Sequence, residues 1–139
     1  MNEPAVSIEP TEAQVARLAT AADGDDGPVM MVNLLRFKER ADGVDAADGI
    51  SGAEAYARYG AGVQRFLDAA GGRVVLATVA NESVIGPYHG EWDMVLAVEY
   101  PSRRAFLEMI SDPGYLEIHA HRAAALADSR LIACASVSG

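Results

Sequence analysis

Nine consecutive residues set the terms on which this chain can fold: Val29-Met30-Met31-Val32-Asn33-Leu34-Leu35-Arg36-Phe37. Side chains alternate between the faces of a strand, and this run is apolar on both, as expected where a sheet is covered on two sides. Asn33 and Arg36 are its polar exceptions, and they fall on opposite faces. The remainder of the chain must supply both covers. With 139 residues it has the length of one domain, which buries roughly two-thirds of its unfolded surface. We expect a single domain over 1–139, with residues 1–27 as an N-terminal helical extension.

Charge and cysteine usage remove several function classes. Eleven Lys and Arg stand against 20 Asp and Glu, a net charge of −9, and Lys38 is the sole lysine. A nucleic-acid surface needs clustered basic residues, so no nucleic-acid partner is expected. The single cysteine, Cys134, excludes an intramolecular disulfide framework and a Cys-rich zinc site. The first residues lack the basic and apolar regions of a signal peptide, and no apolar run approaches the roughly 20 residues of a membrane helix. A cytoplasmic protein with no membrane partner is the expectation.

Around the central strand the pattern alternates. Thr11-Glu12-Ala13-Gln14 has the spacing of a capping box and opens a first helix. The acidic stretch after it, Asp23 to Pro28, reads as a turn. Lys38 to Ile50 reads as a polar, mobile loop carrying Asp42, Asp45 and Asp48, suited to a solvated surface or a lid. Ser51 and Glu54 form a second capping box, Tyr56, Gly60, Val63 and Leu67 give a core stripe, and Gly71-Gly72 stops the helix. Arg73–Ala80 and Trp92–Tyr100 are strands by their Val and Leu content. The next helix is broken at Ser111-Asp112-Pro113, where Asp112 caps a second segment with an apolar stripe at Leu116, Ala120, Ala123 and Ala127. Leu131–Ala135 reads as the last strand.

The order is an extra helix followed by β-α-β-β-α-β, the ferredoxin-like α+β plan with an antiparallel sheet and helices on one face. The second apolar face then needs another cover, and a second copy of the chain is the simplest. We expect a homodimer.

The blocks Met31 to Phe37, Tyr56-Ala57-Arg58-Tyr59-Gly60, Gly71-Gly72-Arg73, Glu91-Trp92-Asp93, Tyr100-Pro101-Ser102 and Phe106 to Ile132 resemble the domain-of-unknown-function 1330 family. The resemblance spans about Val29 to Ala135. It implies a dimeric α+β barrel, in which two ferredoxin-like sheets pack face to face, and it implies no particular reaction. Haem-degrading and quinol-oxidising relatives in the wider superfamily use Asn, Trp and His in a small cavity. Asn33, Trp92 and His119 are similar residue types on comparable elements here, at different strand positions and spacing.

Candidate chemistry centres on histidine, the usual acid or base near neutral pH. His119 and His121, two apart on a helix, point roughly 200° from each other and do not share a metal. His121 falls with Glu117, Ala125 and Asp128 on a polar face. His119 shares a stripe with Tyr115 and Arg122, which suits either a pocket rim or a dimer edge. Asn33, a buried amide, either satisfies neighbouring backbone or faces a ligand. Trp92 either stacks on a planar ligand or fills a core corner. Arg36 and Tyr59 are further candidates for polar contacts to a ligand. No phosphate-binding loop, dinucleotide fingerprint or nucleophile elbow is present.

The reading that follows is a small-molecule-binding protein, in its enzymatic form a cofactor-independent oxygenase, isomerase or cyclase with a cavity in each protomer. His119, Asn33 and Arg122 are its expected catalytic residues, and Trp92, Tyr59, Arg36 and Tyr115 its substrate contacts, with no metal. The alternative is a non-catalytic ligand-binding or structural homodimer.

Overall fold

In the computed structural model, residues 6–137 are described. Helix α1 spans Glu12–Asp23, strand β1 Val29–Phe37, a 3-10 turn Gly43–Asp48, and helix α2 Gly52–Ala70. Strands β2 (Arg73–Val79) and β3 (Met94–Tyr100) follow, then helices α3 (Arg103–Ser111) and α4 (Pro113–Ala125), and strand β4 (Leu126–Cys134). The sheet has the order β2-β3-β1-β4 with every neighbouring pair antiparallel. This is the ferredoxin-like α+β arrangement expected from the sequence, with α1 added in front.

Local chemistry accounts for the element ends. Thr11 and Gln14, and likewise Ser51 and Glu54, exchange reciprocal side-chain-to-backbone bonds of 2.9–3.1 Å at the starts of α1 and α2. Asp112 accepts the Gly114 N–H at 2.7 Å and separates α3 from α4. Gly71, at φ 76°, ends α2 in the left-handed conformation that glycine adopts without a Cβ penalty. At Gly52 a Cβ would stand 2.3 Å from the Lys38 carbonyl oxygen and 2.6 Å from that of Ala125. Only glycine lets the start of α2 cross the ends of β1 and α4 this closely.

The register places Asn33 between Leu96 of β3 and Leu131 of β4. Val29, Met31, Asn33 and Leu35 face the helices and are buried. Val29, Met31, Val98 and Tyr100 from the sheet pack with Val63 and Leu67 of α2, Phe106 and Met109 of α3, and Tyr115 of α4. A second cluster joins Leu35, Ala55, Tyr56, Ala125 and Leu126 at the other end. Met30, Val32 and Leu34 lie on the opposite face with Leu76, Val95, Ala97 and Ile132, and no described helix packs there.

Three expectations are corrected. Helix α4 stops at Ala125, and β4 begins at Leu126, five residues before the predicted strand. The inward face of α4 is consequently Tyr115, Arg122, Ala124 and Ala125, while Leu116 is exposed. The alanine-rich stripe misled because small residues on both sides of this helix carry little periodic signal. Strand β3 begins at Met94, leaving Trp92 in the preceding loop. Finally, the 38–50 segment is a bonded turn rather than a mobile loop. Asp45 is fully buried there, and Asp42 N–H donates to the Ala124 carbonyl at 3.2 Å.

Candidate functional site

Between the helix-facing side of the sheet and the helices lies a cavity of about 1110 Å³. Its walls are Met31, Leu96 and Val98 of the sheet, Val63 and Leu67 of α2, and Leu18 of α1. Helix α1 is exposed along most of its length and buries only Ala22, so it serves the fold as a wall of this cavity more than as core.

Polar groups gather at one end. The Tyr59 and Tyr115 hydroxyls are 3.0 Å apart, and the Tyr115 hydroxyl is 3.2 Å from His119 Nδ1. His119 Nε2 in turn meets both Glu9 carboxylate oxygens, at 2.7 and 2.9 Å. A carboxylate only accepts, so Nε2 carries a proton and, in the neutral imidazole, Nδ1 accepts from Tyr115. Tyr115 oxygen then accepts from Tyr59. Protonating His119 reverses the chain: Nδ1–H donates to Tyr115, Tyr115 donates to Tyr59, and the Tyr59 hydroxyl hydrogen is released towards the cavity. Burial, with contributions from the Tyr115 hydroxyl, pushes the Tyr59 phenol well up, and burial also raises Tyr115. Burial lifts Tyr56, deeper on α2, to about 12. All three phenols stay neutral at physiological pH, and Tyr59 and Tyr115 work as hydrogen-bond relays.

Asn33 is 8% exposed and donates through Nδ2 to the Met31 carbonyl at 3.3 Å, with a longer approach of 3.5 Å to that of Leu96. Its Oδ1 has no bonding partner among the described residues, and no buried side-chain polar atom there is both sealed and unpartnered. The amide oxygen therefore opens to the cavity that Asn33 lines. Arg122 is 7% exposed and donates from Nη1 to the Ile8 carbonyl at 3.0 Å.

The segment before α1 closes this end. Ser7 N–H donates to Asp128 Oδ1 at 2.9 Å, the Ser7 carbonyl accepts from Ser129 Oγ at 2.6 Å, Ile8 accepts from Arg122, and Glu9 holds His119. Burial would raise the Asp128 carboxyl, but bonds from Ser7, Arg130 and Ser129 outweigh it and hold the group below its ordinary value. Glu9 is the residue that sequence reasoning missed. It belongs to the extension, and nothing near it forms a recognisable motif.

Of the residues singled out in the sequence, Asn33, Tyr59, Tyr115, His119 and Arg122 line one cavity. Arg36 and Trp92 are not part of its lining. Arg36 stands 3.6 Å from Asp128, and the Arg130 guanidinium lies 5.3 Å over the Trp92 ring. His121 faces elsewhere: its Nδ1 is 2.8 Å from Asp45 Oδ2, and Arg58 Nη1 is 2.9 Å from Asp45 Oδ1. This replaces the polar face with Glu117 and Asp128 expected from helical spacing, because Asp128 belongs to β4. Among the described residues no group of three His, Cys, Asp or Glu is placed to hold a metal ion, and no helix is long and apolar enough to cross a membrane.

Comparison with known proteins is consistent with this architecture. The model of the family described as "Domain of unknown function (DUF1330)" matches residues 47–135. The crystal structure of RPA0582, a protein of unknown function from Rhodopseudomonas palustris, is 39% identical over 97% of this chain and 100% of that one, with a TM-score of 0.86. At3g17210 from Arabidopsis thaliana is similar in fold at 16% identity, covering 80% of this chain and 97% of that one, with a TM-score of 0.51. A "putative antibiotic biosynthesis monooxygenase" from Caulobacter crescentus shares the fold at 12% identity, 81% and 92% coverage and a TM-score of 0.50. No curated protein matches the chain. The family model and the extended match to RPA0582 together establish that this chain belongs to the domain-of-unknown-function 1330 family.

Proposed function

We propose that this protein binds a small molecule in the cavity between sheet and helices, and that it moves a proton on that molecule without a cofactor. The observation that carries this reading is the chain Tyr59–Tyr115–His119–Glu9, which connects a cavity-lining hydroxyl to an imidazole backed by a carboxylate. Such a relay suits isomerase- or cyclase-type chemistry at a carbon beside a carbonyl. In one direction the substrate C–H proton passes to Tyr59 oxygen, the Tyr59 proton to Tyr115, and the Tyr115 proton to His119 Nδ1. The electron pair of the C–H bond remains on the substrate as an enolate, with Arg122 and the polar cavity end to stabilise it. Glu9 stabilises the imidazolium, and the reverse passage returns a proton to carbon.

Asn33 is assigned to orienting the substrate carbonyl region. Trp92 and Arg36, outside the cavity lining, have no part in this reading. The protein is also proposed to act as a homodimer through the helix-free face of the sheet. Supporting this, Leu76 and Ile132 are 45% and 50% exposed there. A contiguous apolar surface of this kind usually marks an interface.

The test is hydrogen–deuterium exchange at the α-carbons of octan-2-one and related methyl ketones, followed by NMR in D2O. The full chain should accelerate exchange, His119→Ala should abolish the acceleration, and Tyr59→Phe should reduce it at least about 100-fold. Binding without accelerated exchange would leave the non-catalytic ligand-binding alternative.

A further inference from the structure

We infer that the natural ligand of this cavity is an apolar monoanion, held by its carboxylate on Arg122 with its hydrocarbon body along the sheet. The inference rests on the small-molecule reading above and names the class of molecule. Arg122 is the one buried cation among the described residues. Both buried carboxylates already have partners, Asp45 the Arg58 guanidinium and the His121 ring, Asp128 the Arg130 and Arg36 guanidiniums. Glu9, the acid on the segment covering the site, is committed to His119. Among the described residues no ion pair within 4.0 Å involves Arg122.

A guanidinium carries five N–H donors. The structure shows one bond, from Nη1 to the backbone of Ile8, and no buried nitrogen that is sealed without a partner. Nε and Nη2 are therefore not sealed from solvent, and Arg122 is part of the cavity lining. An unpaired charge in such surroundings is costly, and a planar donor fork matches a carboxylate in a bidentate pair. The cost is recovered when an anion arrives.

The apolar wall of the cavity, whose lining also holds polar residues such as Gln14, Arg17 and Gln64, suits a hydrocarbon body rather than a small hydrophilic anion. Met31, Leu96, Val98, Val63, Leu67 and Leu18 offer no hydrogen bonds to a second charged end. Its volume of about 1110 Å³ exceeds what a formate- or acetate-sized ligand occupies. One anionic head and a substantial apolar body are the complementary shape.

Titration calorimetry of the full chain with octanoate and octan-1-ol tests this. Octanoate should bind at least about tenfold more tightly than octan-1-ol, and lengthening to decanoate should add about fourfold per methylene. Arg122→Met should erase the preference for the acid, so that octanoate binds the variant no more tightly than octan-1-ol does. Arg122→Lys, which keeps the charge without the fork, should retain part of the preference and guards against a folding defect in the first variant. Equal binding of acid and alcohol, or an undiminished preference in Arg122→Met, would overturn the anion assignment and leave the pocket reading standing. Binding of neither ligand would overturn both.

Discussion

Two buried charges, Asp45 of the 3-10 turn and Arg122 of α4, have opposite fates. Asp45 is completely buried and is met by Arg58 and by His121 of α4. Arg122, the next residue along α4 after His121, is almost as deeply buried and has no carboxylate partner among the described residues. The Asp45 cluster ties the 3-10 turn to α2 and α4, and its buried acceptors are satisfied from within the chain. The cavity lining has, among the described residues, a cation without an anion in Arg122 and an amide oxygen without a donor in Asn33. A fold that neutralises one buried charge completely has the means to neutralise another. The first region is architecture, and the second has the unmatched polar groups that the proposed ligand site needs.

The largest expected effect breaks the satisfied side. Asp45→Ala removes the buried acceptor that Arg58 and His121 share, leaving Arg58 only Asp48, and should cost about 3 kcal/mol of stability in urea unfolding, with no effect specific to ligand binding. An unchanged midpoint would remove the structural role given to the cluster.

Alkaline titration sharpens the cavity side. The phenols of Tyr56, Tyr59 and Tyr115 are raised in the fold, so the folded state holds their protons more tightly than the unfolded chain. Stability should accordingly fall as pH rises from the ordinary phenol value near ~10 towards the value of about 12 for Tyr56. Thermal unfolding between pH 9 and 12 reads this, and Tyr59→Phe should flatten part of the slope.

Arg122→Met in the ligand-free protein should change stability by no more than about 1 kcal/mol, since loss of the Ile8 bond is offset by removing a buried unpaired charge. A loss comparable with that of Asp45→Ala would mean that Arg122 is architectural too. The smallest effect concerns Gly60, in the interior of α2 at the cavity's edge, where an added Cβ would meet nothing within 4 Å. Gly60→Ala should gain about 0.8 kcal/mol from helix propensity. A net loss would show that this opening matters to the fold itself.

Most of the fold was legible in the sequence because its signals are local. The two capping boxes, the Asp112-Pro113 restart and the Val29–Phe37 run each operate within a few residues, and each is realised in the structure. The α4–β4 boundary was not, since an alanine-rich helix running directly into a strand offers no punctuation. Within the cavity, Tyr115, His119 and Arg122 were found together because they share one helical stripe. Asn33 stood out as an amide inside an apolar run. Glu9 was invisible, because its contact with His119 spans 110 residues and depends on tertiary closure. The pairing of His121 with Asp45 was hidden for the same reason, as it links a helix to a turn 76 residues earlier.

Adjacent methionines offer the most direct test that this cavity is a ligand site. Met31, Met94 and Met109 line it, whereas Met30 lies on the opposite face of β1. In methyl-labelled protein titrated with octan-2-one and followed by NMR, the Met31, Met94 and Met109 resonances should shift together and saturate, with Met30 unmoved. Saturable shifts confined to Met30, or no saturable shift at any methionine, would contradict the account.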